Sequence, residues 1–270
     1  MNDIHGLLEY VREQRAIDFK AYRPNTMMRR LALRLSATGM PDFPSYLAYI
    51  KKQPGELDSL IDTLTIKVSS FFRDPLVFEM LRDIVLPELF DTFKGVDLRI
   101  WCAGCARGEE AYSIAILVKE FLGKEKPVPR VFIIGTDIDR EALEHARQGV
   151  YQADSLSEVR KGFLDRYFVP EDGFYRLRDE VRSLVTFARH DISTAMTPKE
   201  GIFSDYHLVL CRNVLIYFNK GLSEKVMSAL SGFIPPGGYL ALGEAESVPP
   251  RLDKVFSEVM RGVKIFKKIS

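Results

Sequence analysis

Cysteine is scarce in this chain: three among 270 residues. An odd, low number fits a reducing cytosol better than a disulfide framework. Net charge is nearly absent as well. Thirty-eight Lys and Arg face 37 Asp and Glu, a formal +1. The molecule as a whole therefore carries no field of the kind that gathers nucleic acid, and any basic patch has to be local. Nowhere does an uncharged apolar run reach the roughly 20 residues that cross a bilayer. The opening residues, MNDIHGLLEYVREQR, mix acids with bases, unlike a secretory leader. Repeats and low-complexity segments are missing too. These absences lead us to expect a cytoplasmic chain without membrane insertion.

What is present suffices for a large core, since 46% of residues are hydrophobic. Texture divides the chain. Up to about residue 90 the spacing is helical. IHGLLEYVREQR places Ile4, Leu7, Leu8 and Val11 on one face, and MMRRLALRLSATG places Met28, Leu31 and Leu35 on one face before a stop at Gly39. We expect a helical N-terminal domain over 1–75, with a linker spanning 67–90. From 91 to 270 apolar runs alternate with helical patterns: LRIWCA, then GEEAYSIAILVKEFL, then RVFIIGTDID, then REALEHARQG. LVTFARHDI, YHLVLCRNVLIYF and GGYLALGEAES read as further strands, and LSEKVMSALSGFI as a helix. Such alternation predicts an α/β domain with a parallel, doubly wound sheet. A Pro/Asp/Gly turn inside 167–188 predicts a small antiparallel subdomain, inserted over about 152–188.

WCAGCARGEEAYSIAI, residues 101–116, reads as strand, glycine turn and helix start. Cys102 and Cys105 are spaced as in redox motifs, but the domain is larger than that chemistry requires. Zinc would need two more ligands, and Cys211 has no nearby partner in sequence; no metal is expected. A dinucleotide is disfavoured by charge. The pattern is not G-x-G-x-x-G, and Glu109 with Glu110 would repel a pyrophosphate at the helix N-terminus. A cationic cofactor reverses that argument. S-adenosylmethionine carries an ammonium and a sulfonium. Backbone N–H groups near Gly104 can hold its carboxylate, and Glu109 or Glu110 its ammonium. Asp137, ending the next strand, can accept from ribose hydroxyls, and Asp191 can read an adenine amino group.

Taken together, SSFFRD (69–74), GEEAYSIA (108–115), TDID (136–139), CRNVLIYF (211–218) and PPGGYLALGEAES (235–247) resemble the chemotaxis receptor glutamate methyltransferases. The resemblance implies a helical N-terminal domain that docks the receptor, then a Rossmann-like class I methyltransferase domain with a small β-subdomain. It implies methyl transfer from S-adenosylmethionine to glutamates on chemoreceptor helices, giving methyl esters and S-adenosylhomocysteine. Carried over, Ser69 and Arg73 approach the cofactor, Glu109 or Glu110 takes the ammonium and Asp137 the ribose. Asp191 and Ile192 flank the adenine, where the family more often has Asn-Leu. Cys211, Arg212 and Asn213 line the floor, and Arg73 and Tyr217 face the substrate carboxylate. Lys67 stands where an Asn that approaches the cofactor is common. GEEPYS of the family is GEEAYS here. FVPEDGFYRL is short for the loop that docks a receptor's C-terminal pentapeptide, so tether-independent recognition is expected.

The stretch 19–41 holds Lys20, Arg23, Arg29, Arg30 and Arg34 and no acid. Arg30 and Arg34 share a helix face. The stripe suits an acidic helical bundle, such as a chemoreceptor's cytoplasmic part. Nucleic acid is not the expected partner, since no Asn/Asp-Pro-Pro-aromatic motif occurs, and a monomer is expected. Two other readings stay open: a methyltransferase with another acceptor, and a cofactor-holding sensor.

Overall fold

The computed structural model describes residues 4–15, 17–65, 69–123, 130–199 and 205–270. Contacts divide the chain into two units, Met1–Ile66 with Ile216–Ser223, and Lys67–Leu215 with Glu224–Ser270. Among the described residues no helix is long and apolar enough to cross a membrane.

The smaller unit holds α1 (Ile4–Arg15), α2 (Pro24–Thr38), α3 (Phe43–Lys52) and α4 (Pro54–Leu64). Proline opens α2, α3 and α4, at positions where a missing N–H costs nothing. The Asp42 carboxylate accepts the Ser45 N–H at 2.8 Å and caps α3. In α1, Leu7, Leu8 and Val11 are buried as expected, with Ile4 only half-buried. In α2 the buried face carries Met27 and Leu31, while Met28 is 45% exposed. Met27 lies four residues before Leu31 and so stands above it on the helix; the expectation for Met28 was one position off. A segment from far along the chain completes this unit. The Arg23 N–H donates to Tyr217 O at 2.8 Å, and the Asn219 N–H to Ala21 O at 2.9 Å. The Tyr22 and Phe218 rings meet edge to face, 5.0 Å between centroids.

The larger unit opens with α5 (Pro75–Met80), a π turn (Leu81–Val85) and α6 (Leu86–Thr92). There follow β1 (Leu98–Ala103), α7 (Glu109–Leu122), β2 (Val131–Asp137), α8 (Arg140–Gln148), β3 (Val150–Gln152), α9 (Lys161–Tyr167), β4 (Phe168–Glu171) and β5 (Phe174–Leu177). The remainder is α10 (Asp179–Arg182), β6 (Val185–Arg189), β7 (Leu208–Cys211), α11 (Lys220–Phe233), β8 (Tyr239–Leu242), β9 (Phe256–Glu258) and β10 (Ile265–Lys268). One sheet has the order β6-β2-β1-β7-β8-β10-β9. Strands β6, β2, β1, β7 and β8 are parallel. Every residue of β7 and β8 is buried, the near-continuous apolar pattern of strands covered on both faces.

Three departures from expectation stand out. The sheet is mixed, because β10 runs antiparallel to β8 and β9. YHLVLCRNVLIYF yields strand only at Leu208–Cys211, then a short 3-10 turn at Leu215–Tyr217. The antiparallel subdomain, order β3-β5-β4, recruits β3 from just before the expected insertion. Its β4–β5 hairpin turns on Asp172 and Gly173, both at positive φ, the Asp-Gly signature of a tight two-residue turn. Chain order runs outward from β1 to β2 and β6, and then in the other direction to β7 and β8. That reversal opens a crevice at the carboxyl ends of β1 and β7, where open α/β sheets bind ligands.

Inside the smaller unit one polar cluster is largely buried. Glu56 accepts from Arg34 Nε and Nη2, both at 2.6 Å, and from the Tyr46 hydroxyl at 2.6 Å. Burial pushes the Glu56 carboxyl up, but the Arg34 and Tyr46 hydrogen bonds outweigh it and hold the group below the usual range. Removing the cation leaves a buried carboxylate uncompensated, which costs about 3 kcal/mol. Arg34→Met is therefore expected to lower stability by about that amount in urea unfolding, and Glu56→Met added to it to recover at least half.

Candidate active site

The turn after β1 is built on positive φ. Gly104 (φ 72), Ala106 (φ 48) and Gly108 (φ 88) let the chain reverse before α7 begins. A Cβ on Gly104 would collide with the Val214 side chain, so only glycine fits there. The turn is tied to the neighbouring strand. The N–H groups of Gly104 and Cys105 donate to Thr136 O at 2.7 and 2.9 Å, and that of Ala106 to Asp137 Oδ2 at 2.8 Å. These N–H groups are thus engaged inside the fold, contrary to the expectation that they hold a cofactor carboxylate.

Two glutamates open α7, and their surroundings differ. Glu110 pairs with Arg212 Nη1 at 3.0 Å. Burial raises its pKa, and the Arg212 charge opposes the rise. Glu109 is buried, and its Oε2 has no hydrogen-bond partner among the described residues. Burial lifts its pKa to about 7, against smaller opposing contributions from its own N–H, Arg107 and Ser69. An orphaned carboxylate oxygen at this point is an acceptor awaiting a donor.

Arg212, with 1% of its side chain exposed, links three elements. Besides Glu110, its Nη2 donates to Asp74 Oδ2 at 2.6 Å and to Arg73 O at 3.0 Å. Its guanidinium lies 5.5 Å from the Phe78 ring centroid. The loop it grips is SSFFRD. Phe71 and Phe72 are buried; Phe71 meets Tyr151 and Phe168 edge to face, and the Phe72 N–H donates to Ser113 Oγ at 2.9 Å. Phe72 (φ 54) and Asp74 (φ 61) both take left-handed backbone, strain that such anchoring sustains. Between them Arg73 stays partly exposed, and its charge acts on Glu110.

Asp137, at the end of β2, accepts from Ala106 N–H and from Asp139 N–H at 3.0 Å, and burial raises its pKa. Beyond β6, Asp191 accepts the Ser193 N–H at 2.9 Å, Ile192 is buried, and the intervening His190 N–H donates to Asp137 O at 2.9 Å. Cys211 ends β7, and Asn213 follows at φ 60. Cys102, Cys105 and Cys211 are all free and buried, and burial raises each thiol well above its ordinary value. That is the opposite of a reactive redox pair.

Within the larger unit, then, the fold gathers Arg73, Gly104, Glu109, Glu110, Asp137, Asp191, Ile192, Cys211, Arg212 and Asn213 at the carboxyl edge of the parallel strands, with Ser69 hydrogen-bonded to Glu109. Lys67 lies outside the described residues. Tyr217 belongs by its contacts to the smaller unit. So do the arginines of the basic stripe. Arg29 is exposed, Arg23 Nε donates to Phe218 O at 3.1 Å and Arg30 Nη1 to Thr63 O at 3.2 Å. Arg34 is turned inward onto Glu56. Sequence reasoning gave no site role to Asp74, Ser113 or Glu246, although each lay in a quoted motif, SSFFRD, GEEAYSIA and PPGGYLALGEAES.

The donor set suits S-adenosylmethionine better than a phosphate ester. The acids at the start of α7 repel phosphate, and the spare Glu109 oxygen is shaped for a cation. Comparison with known proteins agrees. Residues 67–265 match the family model "CheR methyltransferase, SAM binding domain", and residues 2–65 match "CheR methyltransferase, all-alpha domain". The putative methyltransferase Cher3 of Pseudomonas putida is 32% identical, over 98% of this chain and 96% of that protein. Chemotaxis protein methyltransferase 2 of Vibrio cholerae is 31% identical, over 96% and 88%. An uncharacterized 104.1 kDa protein of Rhodobacter capsulatus is 34% identical over 86% of this chain, which spans 24% of that longer protein. This chain belongs to the CheR methyltransferase family and is an S-adenosylmethionine-dependent methyltransferase.

Proposed function

We propose that the chain is a cytoplasmic enzyme that esterifies glutamate side chains on the helical bundles of chemoreceptors. The observation that carries this reading is Arg73, a partly exposed cation held on a strained loop beside the cofactor residues. Chemotaxis protein methyltransferases among the relatives support it.

When bound, S-adenosylmethionine supplies an electrophilic methyl group. Glu109 would accept its ammonium, Asp137 would accept from its ribose hydroxyls, and Asp191 with Ile192 would border its adenine. A substrate glutamate has an ordinary pKa of about 4.3, so it arrives ionised and needs no base. Arg73 orients that carboxylate through its planar fork. Positioning is the main demand of an in-line displacement. Because carboxylate and sulfonium become neutral ester and thioether, a site that sheds water favours the reaction. Arg23, Arg29 and Arg30 form the cationic surface offered to an acidic receptor helix. Arg34 leaves that set, being occupied by Glu56. The tight Asp172–Gly173 turn of the β4–β5 hairpin supports docking on the receptor bundle rather than on a C-terminal peptide.

Incubation with labelled S-adenosylmethionine and a receptor cytoplasmic fragment should yield label that base releases as methanol; base-stable label would mean a different acceptor. Arg73→Ala should lower kcat about 100-fold while changing S-adenosylhomocysteine affinity less than about threefold, as for loss of one orienting donor. Cofactor affinity should depend on pH in a defined direction. The ammonium requires ionised Glu109, whose pKa near 7 is raised, so binding weakens as pH falls through that value. Calorimetry should find S-adenosylmethionine bound about tenfold more weakly at pH 6 than at pH 8, and Glu109→Gln should flatten the profile.

A further inference from the structure

Glu246 follows β8 in GEAES and is 5% exposed. Its two oxygens accept four backbone N–H groups. Oε2 takes Asn213 at 3.0 Å and Gly243 at 2.7 Å; Oε1 takes Val214 at 2.9 Å and Leu215 at 2.7 Å. An ionised carboxylate offers about four lone-pair sites, so its accepting capacity is filled. It has nothing left for a cofactor, a substrate or a proton in transit.

Three of those donors are successive residues directly after Arg212. Successive N–H groups pointing inward form a concavity that attracts an anion, and Glu246 fills it from within the chain. The same carboxylate draws the ends of the adjacent strands β7 and β8 together. A Cβ on Gly243 would stand 2.8 Å from the Asn213 nitrogen. The pinned segment also presses on the cofactor turn, for Val214 is the side chain that excludes a Cβ at Gly104. Gly104 in turn begins the bend that delivers Glu109. A chain of contacts therefore runs from Glu246 through Val214 and Gly104 to the start of α7.

We propose that Glu246 is a positioning residue for the cofactor, pinning residues 213–215 so that Val214 buttresses the Gly104 turn. Glu246→Gln keeps the size but replaces one acceptor oxygen by an NH2 that faces N–H donors. The measurement is KM for S-adenosylmethionine and calorimetric Kd for S-adenosylhomocysteine, in the full chain, well below the variant's Tm. Both should rise about tenfold while kcat stays within about twofold, a loss of uniform binding. Glu88→Gln serves as the control. Glu88 accepts from Lys267 at 2.8 Å and from the Tyr239 hydroxyl, away from the site, and its loss should lower Tm without moving KM. Unchanged KM and Kd in Glu246→Gln overturns the proposal, whatever happens to Tm, and so does a fall in kcat at constant KM. If Glu246→Gln does not fold, Val214→Ala decides, since it keeps all four bonds and removes only the buttress. A rise in KM of about threefold or more supports the proposal, and wild-type KM refutes it.

Discussion

A guanidinium with 1% of its surface in water holds this site together. Burying such a cation costs several kcal/mol unless its partners are well placed. Arg212 finds two carboxylates, a main-chain carbonyl and an aromatic ring, from the loop before α5, from α5 itself and from the first turn of α7. The attraction therefore acts as a brace. It fixes the Phe72–Asp74 loop, with two left-handed residues, at one distance from the turn after β1. It also engages one of two adjacent glutamates, Glu110 through Oε2, while Oε2 of the neighbouring Glu109 is buried with no partner among the described residues.

Charge arrangement gives the site its selectivity. A helix N-terminus ordinarily invites anions. Here the first turn is occupied by acids, and the N–H groups of the preceding bend are spent on Thr136 and Asp137. A second concavity of N–H groups, after Arg212, is filled by a carboxylate of the protein's own. Both of these concavities are thus closed to a phosphate, and the turn offers an acidic lining for a positively charged donor.

Much of this was legible beforehand. Apolar runs and Gly-rich bends alternate strongly enough to give the parallel strands β1, β2, β6, β7 and β8, and acids at strand ends stood out because the strands themselves are uncharged. Hidden features have physical reasons. β9 and β10 are short and partly exposed, so their pattern does not rise above that of a loop. Met27 and Met28 are chemically alike, and only the helix start tells which faces inward. Arg34 looked like its neighbours on α2 because a surface arginine and one paired to a buried acid differ in what lies across from them, in α4. That Glu110 is paired depends on Arg212, a hundred residues away in the chain.

The small unit is assembled from two separate stretches, since 216–223 joins the N-terminal helices. Phe218 is 1% exposed and packs on Tyr22, and main-chain groups of 217 and 219 are paired with Arg23 and Ala21. Cutting the polypeptide near residue 66 would not yield a self-contained catalytic fragment. It would strip the cover from a phenylalanine and orphan several peptide groups, inviting aggregation. The helical module and the short excursion that returns to it therefore form one structural piece despite their separation in the chain.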